Sequence, residues 1–132
     1  TAHYVVEGRW SDSSALYDHK AFLFKKEKNL LAIPATTQNN SEYFQGALVF
    51  DIAKDSIALK GKISHSEKTN YDYLSQIKRG FYIESALYTL SDAYFGINNL
   101  ADLALIKNIR LAPEINSILP SPIIPLPIRM ME

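Results

Sequence analysis

The chain has 132 residues, with 14 Lys and Arg against 14 Asp and Glu, so its formal net charge is zero; that balance argues against a nucleic-acid binder working through bulk positive charge. The absence of cysteine excludes disulfides, Cys-based zinc sites and thiol catalysis. Hydrophobic residues at 47% and charged residues at 21% are the proportions of one folded domain rather than a disordered chain.

Thr1 opens the sequence, and no charged start followed by an apolar core comes after it, so a mature product or an excised piece of a longer chain is expected. No apolar run approaches the roughly 20 residues that span a bilayer. His3 to Arg9 reads as the orphaned outer strand of a preceding unit. Four strands then follow one another. Ala21-Phe22-Leu23-Phe24 is short and apolar, and Lys25 to Asn29 is a solvated turn. Leu30 to Thr36 is a second apolar run, in which Pro34 is expected at an edge or an end, because proline has no N–H to give a ladder. After a polar loop, Gln45 to Ala53 is rich in strand formers, and Lys54-Asp55 is a tight turn. Ser56 to His65 alternates, with Ile57, Leu59, Gly61 and Ile63 predicted on one face.

A second set of four strands follows: Gly80 to Ile83, Ala86 to Leu90, Tyr94 to Ile97 and Ala104 to Leu111, with Ser91-Asp92 and Asn98-Asn99 at turns. The sets match each other, Phe22 with Phe81, Asn29 to Ala35 with Ser85 to Ser91, and Ile57 to Ile63 with Leu103 to Ile109. A four-strand unit repeating at about 45–60 residues is the sign of a β-propeller, each unit being one blade. An antiparallel sandwich with two similar halves is the alternative. The prediction is therefore an all-β partial propeller in residues 1–112, with four-stranded antiparallel blades at 20–65 and 79–112 and an N-terminal strand. Residues 113–132 form a proline-rich extended tail, carrying Pro113, Pro120, Pro122, Pro125 and Pro127 with Ile123, Ile124, Leu126 and Ile128 as apolar teeth. Such a tail either lies on its own domain or docks as an arm on a neighbour.

The run Ser13 to Leu31 (SSALYDHKAFLFKKEKNLL), with Phe44 to Ala47, Leu59 to His65 and Ile77 to Ser91 in the same order, carries a more specific likeness. It resembles the signature of a prokaryotic, mainly archaeal, family of secreted proteins whose C-terminal β-propeller domain is distantly similar to WD repeats. Ser14 stands where that signature has Glu, and the tail has no counterpart in it. The resemblance implies an extracellular or cell-surface protein that contributes the last blades of a ring. Two blades are too few to close one, since closed propellers have at least four. The remaining blades of a parent chain, or other copies of this one, are the implied partners.

Asp18-His19 is the most conspicuous candidate for chemistry, as a carboxylate beside an imidazole can orient a general base. In an extended segment the two side chains diverge, and a His or Asp in a WD-type blade commonly tethers a turn. An active site at the central channel would draw on Asp18, His19, Arg79 and Lys78. Lys20 is expected to pair with Asp18 or Asp51. The histidines His3, His19 and His65 have no metal-ligand spacing, and no calcium loop, P-loop, nucleophile elbow or dinucleotide fingerprint occurs, so no metal or cofactor is expected. Tyr43, Tyr71, Asp72 and Tyr73 offer aromatics beside a carboxylate on loops, which suits a carbohydrate or protein ligand. Asn39-Asn40-Ser41 is an N-glycosylation sequon. Together these features favour a non-catalytic binding or structural module, with a propeller enzyme and a self-assembling surface protein that closes a ring from several chains as the alternatives.

Overall fold

The computed structural model describes residues 1–111, so the proline-rich segment 113–132 lies outside the described residues. Two antiparallel sheets stand face to face. The first holds β1 (Trp10–Asp12), β2 (Leu23–Lys25), β3 (Leu30–Gln38), β4 (Tyr43–Ile52) and β5 (Ile57–Ile63). The second holds β6 (Arg79–Ile83), β7 (Ala86–Leu90), β8 (Tyr94–Asn99) and β9 (Leu105–Arg110), paired in chain order. In the first sheet β1 and β2 share one edge of β3. Leu23 to Lys25 lie opposite Leu30 to Ala32, and Trp10 to Asp12 opposite Thr36 to Gln38. Each sheet therefore has four strand positions, as the sequence predicts.

Pro34 is not at an end. It sits in mid-strand in β3, opposite Ala47 of β4. It falls in the gap between β2 and β1, where the edge of β3 has no ladder partner, so its missing N–H breaks no ladder there. The vacant stretch is used by Ser13, whose hydroxyl donates to the Pro34 carbonyl.

Both sheets carry a bulge at the same place. Val49 lies opposite Gly61 and Phe50 opposite Leu59, so Lys60 is the extra residue. Likewise Ile97 lies opposite Lys107 and Asn98 opposite Leu105, leaving Ile106 extra. The bulge corrects the expected alternation of β5, because an inserted residue reverses which way the following side chains point. Ile57 and Leu59 face away from the second sheet with Phe50, while Gly61 and Ile63 face it with Val49 and Ala47. Register also corrects the repeat. Leu23 is opposite Ala32 as Phe81 is opposite Tyr88, so the counterpart of Phe81 is Leu23 and not Phe22. A one-residue slip of this kind exchanges the two faces of a strand.

The core lies between the sheets. Leu30, Ala32, Ala47, Val49 and Ile63 of the first sheet bury against Leu87 of the second, together with Ile77 and Leu100. Small residues let the sheets approach. A Cβ on Gly61 would come within 2.8 Å of the Leu103 side chain, which fills the notch that this glycine leaves. Leu103 is held there at φ 63°, with its N–H bonded to the Asn99 carbonyl and its own carbonyl accepting from Asn98 Nδ2. At the innermost strands the Lys25 ammonium lies 3.7 Å from the centre of the Tyr82 ring, a cation–π contact across the joint.

Two sheet faces remain open. On the first sheet, Leu31, Ile33, Leu48, Phe50 and Ile57 line an apolar groove of about 290 Å³, partly roofed by Tyr4 and Val6. Tyr4 meets Phe50 edge-on at 5.0 Å. The segment before β1 therefore lies along this face without forming a regular strand. On the second sheet, Phe81, Tyr88 and Phe95 stack across three adjacent strands, with centroids 5.0 Å and 5.7 Å apart along the row.

Candidate functional site

The loop ends of both sheets gather at one end of the molecule, and the sequence-predicted residues fall there. Segment 66–76 crosses from β5 to β6 and is clasped by one side chain. Gln45, at the start of β4 and 3% exposed, donates from Nε2 to the Asp72 carbonyl at 2.6 Å and accepts from the Asp72 N–H at 2.9 Å. A planar amide that satisfies both backbone groups of one residue acts as an extra rung of ladder. Tyr43 completes the clasp by donating its hydroxyl to Gln45 Oε1 at 2.9 Å. Burial raises the Tyr43 pKa above its ordinary value, and the nearby Tyr71 and Asp72 push it the same way.

The Asp72 carboxylate turns inward to accept from Ser75 Oγ at 2.9 Å, with Lys68 Nζ 3.1 Å away. Burial alone would raise its pKa, but the hydrogen bonds from Lys68 and Ser75 outweigh that and hold the carboxyl below its ordinary range. Tyr71 donates to Gln76 Oε1 at 3.1 Å. The Tyr71 and Tyr73 rings are 53% and 59% exposed. Lys78 Nζ sits 5.0 Å from the Tyr73 ring centre and 2.6 Å from the Asp92 carboxylate, whose hydrogen bond raises the lysine's pKa. The four residues read from sequence as a binding set are thus brought to one end, with Tyr43 and Asp72 both bonded to Gln45, which the sequence shows only as part of a strand. Asn39 lies at the exposed tip of the β3–β4 hairpin on the same end, with its N–H bonded to the Glu42 carbonyl.

Asp18 and Arg79 also meet. Asp18 caps the 3-10 turn His19–Ala21 by accepting from the Lys20 N–H at 2.9 Å, and its other oxygen lies 2.7 Å from Arg79 Nη1 of β6. The Lys20 N–H does most to lower the carboxyl's pKa, with Arg79 adding to it against desolvation. His19 is exposed on the turn that Asp18 caps. The lysine pairing expected of Asp51 goes to Lys60, at 3.4 Å. The carboxylate thus has a cap and a cross-sheet guanidinium to hold, and the contacts made here are those of a tether.

A buried polar contact between the sheets lies at a residue that the sequence offers only as a histidine without metal-ligand spacing. His65, just past β5 and 7% exposed, bonds through Nδ1 to Ser91 Oγ and through Nε2 to Thr89 Oγ1, both at 2.8 Å. Tyr94 meets the ring edge-on at 6.1 Å. Burial lowers the imidazole's pKa to about 4, so the ring is neutral at pH 7 and one nitrogen donates while the other accepts. Gly96 is required beside it, since a Cβ there would lie 2.8 Å from both His65 Nε2 and Thr89 Oγ1. The signal in the sequence is a histidine two residues past a strand, with Thr and Ser two apart at the end of the second strand of the next unit. Among the described residues, no three His, Cys, Asp or Glu side chains gather as a metal site. No helix among them is long and apolar enough to cross a membrane.

A family model described as a β-propeller domain matches residues 1–103. No curated protein and no solved structure matches the chain.

Proposed function

Since this chain belongs to the β-propeller domain family, we propose that it serves as a non-catalytic binding module that presents its loop end to a carbohydrate or protein ligand. The observation that carries this reading is the Gln45–Asp72 clasp, which fixes the 66–76 loop to the first sheet and holds Tyr43, Tyr71 and Tyr73 at one end. Two exposed tyrosines on a rigidly anchored loop give apolar contact at little entropic cost. The charges around them, Lys68 with Asp72 and Lys78 with Asp92, are paired locally and keep the patch close to neutral. That suits an uncharged partner such as a polysaccharide better than a nucleic acid.

An extracellular or cell-surface setting is part of the proposal, supported by the exposed Asn39 sequon. The groove on the first sheet's free face suits a further blade, supplied by a parent chain or by a second copy. The direct test is a glycan and peptide array probed with the full chain and with Tyr71→Ala/Tyr73→Ala. Binding that falls at least tenfold in the variant, with folding unchanged, supports the proposal. No binding on either array, or binding that survives the substitutions, overturns it.

A further inference from the structure

We propose that the small cavity beside the 3-10 turn Ser14–Leu16 is the binding site of one internal water molecule, which bonds that turn to the polar end of the first sheet.

The face of the first sheet that packs on the second changes character toward its end. Its positions along β3 run Leu30, Ala32, Pro34 and Thr36, two apart and all buried. The rung through Pro34 continues to Ala47 and Ile63 and is apolar. The next rung reads Asp12–Thr36–Gln45 and is polar in all three strands. Thr36 is 6% exposed and Gln45 is 3% exposed, so their polar groups need partners. Gln45 has used both lone pairs of Oε1, on Tyr43 and the Asp72 N–H, and one N–H on the Asp72 carbonyl. One N–H of its amide is left. The Asp12 carboxylate and the Thr36 hydroxyl have no hydrogen-bond partner among the described residues.

A cavity of about 10 Å³ lies against this rung, lined by Asp12, Ser14, Thr36, Gln45 and Gln76. That is room for one water and too little for an organic ligand. The Ser14 hydroxyl is buried and bonds to no other group among the described residues. Its neighbour Ser13 offers no help, since that hydroxyl already donates to the Pro34 carbonyl and accepts from the Ala15 N–H. The polar groups around the cavity are mixed in kind. The spare Gln45 N–H only donates, the Asp12 carboxylate only accepts, and the two hydroxyls do either. A bare cation would face the Gln45 N–H, whereas a water donates and accepts and makes about three bonds in such sites. Gln76 closes segment 66–76 and accepts from Tyr71 through Oε1. The water therefore sits where the turn, the polar rung and the end of the clasped loop meet. The proposal stands whether or not the loop end binds a ligand.

The sign of one substitution tests this. A hydroxyl bonded to a water contributes to stability, and a buried hydroxyl bonded to nothing detracts from it. Ser14→Ala in the full chain is therefore expected to lower the urea midpoint, by roughly 0.5 M for a domain of this size. A midpoint that stays level or rises overturns the proposal, because the substitution has then removed a group with no partner. A crystal structure of the unsubstituted chain, at a resolution that shows ordered solvent, gives the direct reading. One water is expected within hydrogen-bond distance of Ser14 Oγ and of at least one of Asp12, Thr36 and Gln45. A cavity without solvent density, or one closed by a side chain, overturns the proposal whatever the Ser14→Ala midpoint.

Discussion

His65 of the segment leaving the first sheet and Thr89 of the second are joined by a 2.8 Å hydrogen bond in a site where the imidazole is neutral. The ring's other nitrogen holds Ser91, which in turn accepts the Tyr94 N–H at 3.0 Å. One side chain thereby fixes the turn between β7 and β8 and the joint between the sheets.

Protonating this ring breaks the arrangement, because an imidazolium donates from both nitrogens, so the hydroxyl that now donates to the ring must turn round to accept, and the cation is desolvated by burial. The folded pKa of about 4 lies below the unfolded value of about 6.5, so the unfolded chain binds more protons between those limits. Stability is therefore level above pH 6.5 and falls as the pH drops toward 4, by about 3 kcal/mol at most. Urea midpoints measured from pH 7.5 to 4.5 check this. A His65→Gln chain should lose the part of the slope between pH 6.5 and 5, and a wild-type midpoint level across that interval contradicts the assignment.

Thr89→Val keeps the shape of a side chain that is 1% exposed but removes the partner of His65 Nε2. A buried nitrogen left unsatisfied costs about 1–3 kcal/mol. Thr89→Ser keeps the hydroxyl and is expected to be the milder change, despite losing a methyl. Denaturant unfolding of the two variants gives the order, and a Val variant at least as stable as the Ser variant is the contrary result.

Glycine to alanine within a strand usually stabilises slightly by restricting the unfolded chain. Gly96→Ala should do the opposite and cost about 1–3 kcal/mol, since the added carbon meets His65 and Thr89 at 2.8 Å. Gly80→Ala, whose new carbon meets nothing closer than 3.7 Å, is the internal control and should be neutral or stabilising. Thermal melts of both variants make the comparison.

Asp18 acts on the turn through its cap and on β6 through Arg79. Asp18→Asn retains a capping oxygen and should melt above Asp18→Ala, with both variants soluble. The gap between Asp18→Asn and wild type should shrink in 1 M salt, because it consists of an exposed ion pair. A gap that does not respond to salt assigns the carboxylate another role.

Much of the fold is legible in the sequence because alternation and turn residues are local signals. Residues 79 to 110 read almost directly as four strands, with Ser91-Asp92 marking one turn, although Asn98-Asn99, read as another, forms the end of β8. What escapes depends on register. The Lys60 bulge reverses the faces of β5 without altering the pattern of residue types, and the matching of Phe22 with Phe81 slips by one for want of a pairing partner. Pro34 reads as an edge or an end; it takes an edge position, but nothing local tells that two short strands share the edge beside it. The candidate residues show the same limit. Asp18 and Arg79 are both recognisable as charged groups of interest, yet their union depends on how the sheets stack, as does the reach of His65 across 24 residues to Thr89.

The gap opposite Pro34 has a practical meaning. β1 and β2 hold separate halves of β3, and the proline interrupts the edge that a single continuous strand would follow. Residues 13–22 leave the sheet and return to it without carrying a ladder of their own. A longer loop can be inserted at the exposed Leu16-Tyr17 turn, leaving Ser13, Asp18 and Ala21 in place, while both short ladders stay in register, as slowly growing closure entropy permits. The molecule thus contains a natural graft point beside its tyrosine-bearing end, where a new recognition loop can be inserted without redesigning the sheet.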